Sequence, residues 1–166
     1  MAARGTRATQ ELTRRSIPHS VHPYLHQDAA GGYGPEAAAA LGVPAEQVFK
    51  TLIASVDGRL TVAVVPVSGQ LSLKALADAM GGKRAEMTRP DEAARATGYV
   101  VGGISPIAQR RRLPVVVDST ALDWPSVYCS AGQRGLQIQL APADLIRATG
   151  ATVAPIAVPA ASSPPP

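Results

Sequence analysis

Apolar and polar positions along this chain change period several times, and each change marks an element. Positions 48–56 and 59–67 are two β-prone runs rich in Val, Ile, Leu and Thr. The Asp57-Gly58 pair between them is the signature of a two-residue hairpin turn. Shorter runs at 114–118, 126–130 and 135–140 read as further strands, and 17–24 as one interrupted by Pro18 and Pro23. Helical spacing is predicted for 6–15, with Leu12 as its main apolar anchor. After a flexible Gly31-Gly32-Tyr33-Gly34 turn, Pro35 opens a helix that ends before Gly42. Ser72 caps a helix running to Met80, stopped by Gly81-Gly82. Pro90-Asp91-Glu92 opens a short helix with acids in its first turn, and 142–149 forms a last helix stopped by Gly150. Hairpin-linked strands with irregularly spaced helices predict an α+β fold, not a doubly wound sheet.

Composition narrows this picture. The 166 residues fit a single domain, expected over 1–157. From Pro155 the chain turns to Pro, Ala and Ser, so disorder is expected there and 158–166 is predicted to be a tail. The hydrophobic fraction of 46% supports a core, but aromatics are only 4%, so Val, Leu, Ile and Ala must fill it. One Trp and one Phe cannot form a base-stacking platform. The lone Cys129 rules out an intramolecular disulfide and reads as a small core residue. There is no leader-like apolar region and no apolar run of the roughly 18 residues a membrane span needs, so a cytoplasmic protein is expected.

The net charge of +4 is mild, and its distribution says more. Arg4, Arg7, Arg14 and Arg15 cluster near the start, and Arg110-Arg111-Arg112 form a block. Such clusters bind phosphates without reading sequence, or are simply solvated. Lysine is rare: of 16 basic residues only Lys50, Lys74 and Lys83 are lysines. Lys50 sits inside the apolar run Val48-Phe49-Lys50-Thr51-Leu52-Ile53, where an ammonium is costly without a partner. It reads as a substrate-facing residue, the alternative being a strand lysine whose stem packs while its head reaches water.

Two glycine-rich runs are the other candidates. Tyr99-Val100-Val101-Gly102-Gly103-Ile104-Ser105-Pro106 allows a ligand close approach to main-chain N–H donors, or is a tight turn. Ser130-Ala131-Gly132-Gln133-Arg134-Gly135 is a hairpin loop that could bring Ser130 and Arg134 to a pocket rim. No nucleophile–base pair stands out. His19, His22 and His26 have helix-face spacing, but Pro18 and Pro23 argue against a helix there, so no metal site is expected.

Taken in order, F-K-T-L, T-G-Y-V-V-G-G-I-S-P and Y-x-S-x-G-x-R-G-L resemble the YbaK/ProRS-associated editing domain family, and within it the Cys-tRNA(Pro) deacylase type. The resemblance runs from about Thr6 to Ala157 and includes His22-Pro23-Tyr24-Leu25-His26-Gln27-Asp28, which has an extra residue before the Asp. Gln133 stands where that type has Lys. The resemblance implies a mixed, curved, barrel-like β-sheet with surrounding helices, the domain type inserted in some prolyl-tRNA synthetases. It implies catalytic roles for Lys50 and for the Gly102 amide. Substrate binding is implied for Tyr24, Thr51, Gly103, Ile104, Ser105, Pro106, Ser130 and Arg134. Arg110, Arg111 and Arg112 would touch the tRNA backbone. The implied activity is trans-editing of Cys-tRNA(Pro), and of Cys-tRNA(Cys), with the substrate thiol attacking its own ester. No cofactor is implied. The partners are an aminoacyl-tRNA and prolyl-tRNA synthetase, with neither DNA nor a membrane among them. Two alternatives stay open: a deacylase for another small group such as Ala-tRNA(Pro), and a non-catalytic tRNA- or synthetase-binding module.

Overall fold

A computed structural model describes residues 5–25 and 33–159. In chain order the elements are α1 (Arg7–Arg14), β1 (Ser20–Pro23), α2 (Tyr33–Leu41), β2 (Phe49–Val56), β3 (Arg59–Pro66), β4 (Gly69–Leu71), α3 (Leu73–Ala79), β5 (Ala85–Met87) and α4 (Pro90–Thr97). Then come β6 (Val115–Asp118), β7 (Val127–Gln133), β8 (Leu136–Leu140), α5 (Pro142–Thr149), β9 (Thr152–Ala154) and β10 (Ala157–Pro159). The α+β class holds, and the hairpin, the helices and their stops fall close to where the apolar pattern puts them. Asp57 and Gly58 both have positive φ, 49° and 85°, as a two-residue turn of primed type requires.

Strand order in the large sheet is β5-β2-β3-β6-β9, antiparallel from β5 to β3 and parallel from β3 to β9. A second, antiparallel sheet has the order β1-β8-β7, and β10 pairs with β4 in a third. A parallel bridge between Val48 and Tyr128 links the first two sheets. The expected barrel-like closure is not found: the sheets meet at that bridge without joining into a continuous ring among the described residues.

The large sheet is covered on both faces, which is why β3 reads as one continuous apolar run. Val62 and Val64 face a core shared with Leu12 of α1, Ile107, Ile138 and Leu145. Ala63 and Val65 face a second core with Leu76 of α3, Val116 and Ile156. Each of the Val, Leu and Ile side chains among them contributes about 1.5–3 kcal/mol when fully buried.

The expected tail boundary is corrected by these contacts. Ile156 is fully buried, and Ala157–Pro159 forms β10 against β4. Asp118, 1% exposed, secures the segment: Oδ1 accepts from the Ile156 and Ala157 amides at 2.9 and 2.8 Å. Its Oδ2 accepts from the Thr120 amide at 3.2 Å and from the Thr120 hydroxyl. Order therefore extends through Pro159, and residues 160–166 lie outside the described residues. The expected strand at 17–24 shortens to β1 because Ser16, at φ 56°, turns the chain out of α1. Of the predicted turn at 31–34, Gly31 and Gly32 lie outside the described residues, and α2 already begins at Tyr33.

Candidate functional site

Strand β2 has one edge covered along its whole length and the other only in part. β3 pairs with all of it, whereas β5 pairs only with Ala54–Val56. The turn makes Val56 and Arg59 a hydrogen-bonded pair, and antiparallel alternation then directs the main-chain groups of Phe49, Thr51 and Ile53 away from β3. The Ile53 carbonyl conforms, accepting from the Thr88 amide at 3.2 Å and from its hydroxyl at 2.9 Å. Between that pairing and the Val48–Tyr128 bridge to β7, no strand among the described residues pairs with β2 beside Thr51, and a cleft of about 480 Å³ opens there. Because the cleft runs along a strand edge, side chains of both faces reach it, Lys50 as well as Thr51. The volume suits a small ligand.

Tyr24, Lys50, Thr51, Gly102, Ile104 and Ser130 converge on this cleft from four parts of the chain. Tyr24 is fixed by its amide donating to the Gly135 carbonyl at 2.9 Å. Lys50 is half-buried, and its ammonium makes no hydrogen bond or ion pair with any described residue. Burial lowers its pKa from 10.5, since desolvation disfavours the ammonium. A half-buried cation without a partner is suited to receive an anionic or oxygen-rich group.

Gly102 lies in a turn closed by the Gly103 amide donating to the Val100 carbonyl at 2.9 Å. Its φ of 89° is the positive value that the third position of a type II turn demands. The turn is clamped from behind by Arg134, whose Nε and Nη2 donate to the Val101 carbonyl at 2.9 and 2.7 Å. Gly103 is packed so closely on the Gln133–Arg134 main chain that a Cβ would come within 2.9 Å of it.

Several of the expected residues lie behind the cleft wall. Gly103, Ser105 and Pro106 are buried and do not line the cleft. Ser105 Oγ accepts from the Ile107 amide at 3.2 Å, and Tyr99 Oη donates to the Ile107 carbonyl at 2.6 Å, so these residues shape the loop. Arg134 acts on the loop as well, through Val101. Arg110, Arg111 and Arg112 are exposed. The amides of Arg110 and Arg111 donate to the Thr97 and Ala96 carbonyls, docking the block at the C-terminal end of α4. Pro90 and Ala93, near the other end of α4, line the cleft. At 1.5 Å per residue the block sits roughly 10 Å along the helix from it.

The N-terminal arginines are engaged elsewhere. Arg7 lies 5.9 Å from the Tyr99 ring centroid, Arg14 pairs with Glu11, and Arg15 donates to the Arg147 and Ala148 carbonyls. Arg4, His26, Gln27 and Asp28 lie outside the described residues. His19 and His22 bond to the Ile17 carbonyl and the Ser20 hydroxyl, and no group of three metal-ligating side chains occurs among the described residues.

The cleft's chemistry is narrow. No His, Cys, Asp or Glu is among its described lining residues, so Ser130 has no base beside it there. Ser130 Oγ instead accepts from the Gly132 amide at 3.1 Å. Cys129 points into the core, fully buried, with burial pushing its thiol up to about 12. Two lining side chains carry buried polar atoms without a hydrogen-bond partner: Thr51 Oγ1 and Gln137 Oε1. Gln137 was not anticipated, because the run Leu136-Gln137-Ile138-Gln139-Leu140 reads only as a strand. Gln137 instead lines the cleft, while Gln139 on the same face bonds to Ser20 and Ser126.

Comparison with known proteins accounts for this arrangement. The aminoacyl-tRNA editing domain family matches residues 33–148. The chain belongs to that family. The editing domain is 34% identical over 162 residues to a protein of Enterococcus faecalis named as a candidate Cys-tRNA(Pro)/Cys-tRNA(Cys) deacylase, EbsC, covering 94% of this chain and 98% of that one. It is also 31% identical over 87 residues to the proline–tRNA ligase of Acidithiobacillus ferrooxidans, covering 52% of this chain but 15% of the ligase. A solved structure described as a candidate trans-editing enzyme for prolyl-tRNA synthetase superposes with a TM-score of 0.78 at 25% identity, covering 92% of this chain and 95% of that one. No helix among the described residues is long and apolar enough to cross a membrane.

Proposed function

We propose that this editing domain is a trans-acting aminoacyl-tRNA deacylase that clears Cys from mischarged tRNA(Pro), and from tRNA(Cys), in the cytoplasm. The observation that carries the reading is the unpaired Lys50 beside the Gly102 turn, in a cleft whose described walls supply no nucleophile with a base. A cysteinyl ester brings its own nucleophile. Its sulfur attacks the ester carbonyl carbon, the bond to the ribose 3′ oxygen breaks, and the thiol proton passes to that oxygen. The products are free tRNA and a cyclic thiolactone, which water then opens. The domain's part is positioning and charge stabilisation. Lys50 holds the 3′-terminal nucleotide, and the Gly102 amide donates to the carbonyl oxygen as it gains charge.

The test is a comparison of purified chain on Cys-tRNA(Pro), Ala-tRNA(Pro) and tRNA(Pro) carrying Ser. Only the cysteinyl ester should be cleaved, with thiolactone as the first product. Equal cleavage of the alanyl ester would mean water is the nucleophile. Binding without turnover on all three would make the domain a non-catalytic module.

Selection of tRNA(Pro) falls to a complex with prolyl-tRNA synthetase, because exposed arginines do not read sequence. Arg110, Arg111 and Arg112 take acceptor-stem phosphates. Replacing all three by Ala should flatten the slope of log K against log salt, about equally for tRNA(Pro) and tRNA(Cys). An unchanged slope would remove the block from the interface.

A further inference from the structure

Buried polar atoms are almost always hydrogen-bonded, and the exceptions call for an explanation. Among the described side chains there are two such exceptions, Gln137 Oε1 and Thr51 Oγ1, and both residues line the same cleft. Gln137 is only 7% exposed. It stands opposite Ser130 in the β7–β8 ladder and opposite His22 in the β1–β8 ladder, and His22 Nε2 is engaged with the Ser20 hydroxyl. Thr51 lies next to Lys50 on β2, with its main-chain groups at the open edge.

An aminoacyl ester presents few polar groups, and the other cleft residues account for most of them. The carbonyl oxygen needs a donor, which the Gly102 amide supplies. The ribose and phosphate oxygens need donors, which Lys50 supplies. The α-amino group remains. It is present in every aminoacyl-tRNA, and it needs acceptors. An unpaired carboxamide oxygen and an unpaired hydroxyl oxygen provide two, and a neutral acceptor takes an N–H from the amine or the ammonium alike. We propose that Gln137 and Thr51 form the receptor for the α-amino group, making Gln137 a specificity-determining residue. This assignment rests on the deacylase reading for its substrate class, but not on the thiol mechanism. A site built to hydrogen-bond a substrate group rejects analogues that lack it, because its own polar atoms then stay buried and unpaired.

The test measures binding, so it does not depend on turnover. The probes are two amide-linked, non-hydrolysable adenosine analogues, 3′-cysteinylamino-3′-deoxyadenosine and its 3-mercaptopropionyl counterpart, which differ only in the α-amine. Wild-type protein should bind the amine-bearing probe at least tenfold tighter. In Gln137→Met that preference should fall to within about threefold by loss of the tighter binding alone, and Thr51→Val should fall in the same direction. A purely structural Gln137 would lower the melting temperature when replaced. Here Gln137→Met removes a buried unpaired oxygen, so its melting temperature should hold or rise. Equal wild-type affinity for the two probes, a preference that survives in Gln137→Met, or no binding of either probe would overturn the assignment. Failure of the deacylase reading would appear separately, as absent turnover of Cys-tRNA with the binding preference intact.

Discussion

Two buried polar sites in this domain are opposites. Asp118 is sealed in the interior, and both its oxygens are occupied, by two amides from the C-terminal segment and by the amide and hydroxyl of Thr120. The cleft at β2 holds a half-buried ammonium without a partner and two buried oxygens without donors. The first site stabilises the fold; the second leaves hydrogen-bonding capacity for something from outside. Satisfied polar groups report structure, and unsatisfied ones report function, because only a ligand repays their desolvation. Substitutions at the two sites should therefore have opposite consequences.

The largest effect is expected at Asp118→Ala. It strips partners from the Ile156, Ala157 and Thr120 amides in the interior, at roughly 1–3 kcal/mol for each group left unsatisfied. Urea unfolding should show a loss of about 3–5 kcal/mol. A loss below about 1 kcal/mol would mean water replaces the carboxylate.

Lys50→Met should do the reverse. Deacylation should drop at least tenfold, about 1.4 kcal/mol in the barrier, while stability holds or improves. Burial lowers the Lys50 pKa, so the unfolded chain holds this proton more tightly than the folded one. Protonation therefore works against folding at every pH below the lowered value, and stability gains as pH climbs from there to 10.5. Melting curves should show that gain in the wild type and not in Lys50→Met. Wild-type turnover in the variant would remove Lys50 from the site.

Gly102→Ala should come next. A Cβ at φ 89° costs about 1–3 kcal/mol of strain and crowds the amide proposed to meet the carbonyl. Loss of kcat together with a stability loss of that size in a variant that still folds is the expected pattern; full activity in a folded variant would rule out the amide contact. Cys129→Ser should be the mildest for activity. The thiol is buried and held neutral, so turnover should stay within about twofold while stability falls by about 1–3 kcal/mol for a buried hydroxyl. Loss of turnover in a folded Cys129→Ser would point to an enzyme thiol.

What could be read beforehand follows the same division. The β2–β3 hairpin was legible because alternation and Asp57-Gly58 are local signals. Lys50 was legible because a lone lysine in an apolar run is chemically out of place. Gly102 was legible as a turn glycine. Asp118 was not, since its partners lie 38 and 39 positions further along the chain. β10 was hidden by its Pro- and Ala-rich composition, and its order depends on distant β4. Gln137 carried no signal, because the pattern of a strand does not say what covers its polar face. Ser105 and Arg134 were found as members of the site region, yet the structure gives them the loop to hold.

The short open stretch of the β2 edge, between β5 and the Val48–Tyr128 bridge, has a further consequence, for solubility. Unpaired main-chain groups on an exposed strand edge are a template for another molecule's strand, and proteins commonly protect such edges with a lysine. Lys50 is the only charge in Val48–Val56, a Pro-free stretch of high β-propensity. The residue proposed to engage substrate would thus also be the gatekeeper against self-association along that edge. Lys50→Met, the variant expected to resist urea at least as well as the wild type, should be the first to scatter light when concentrated.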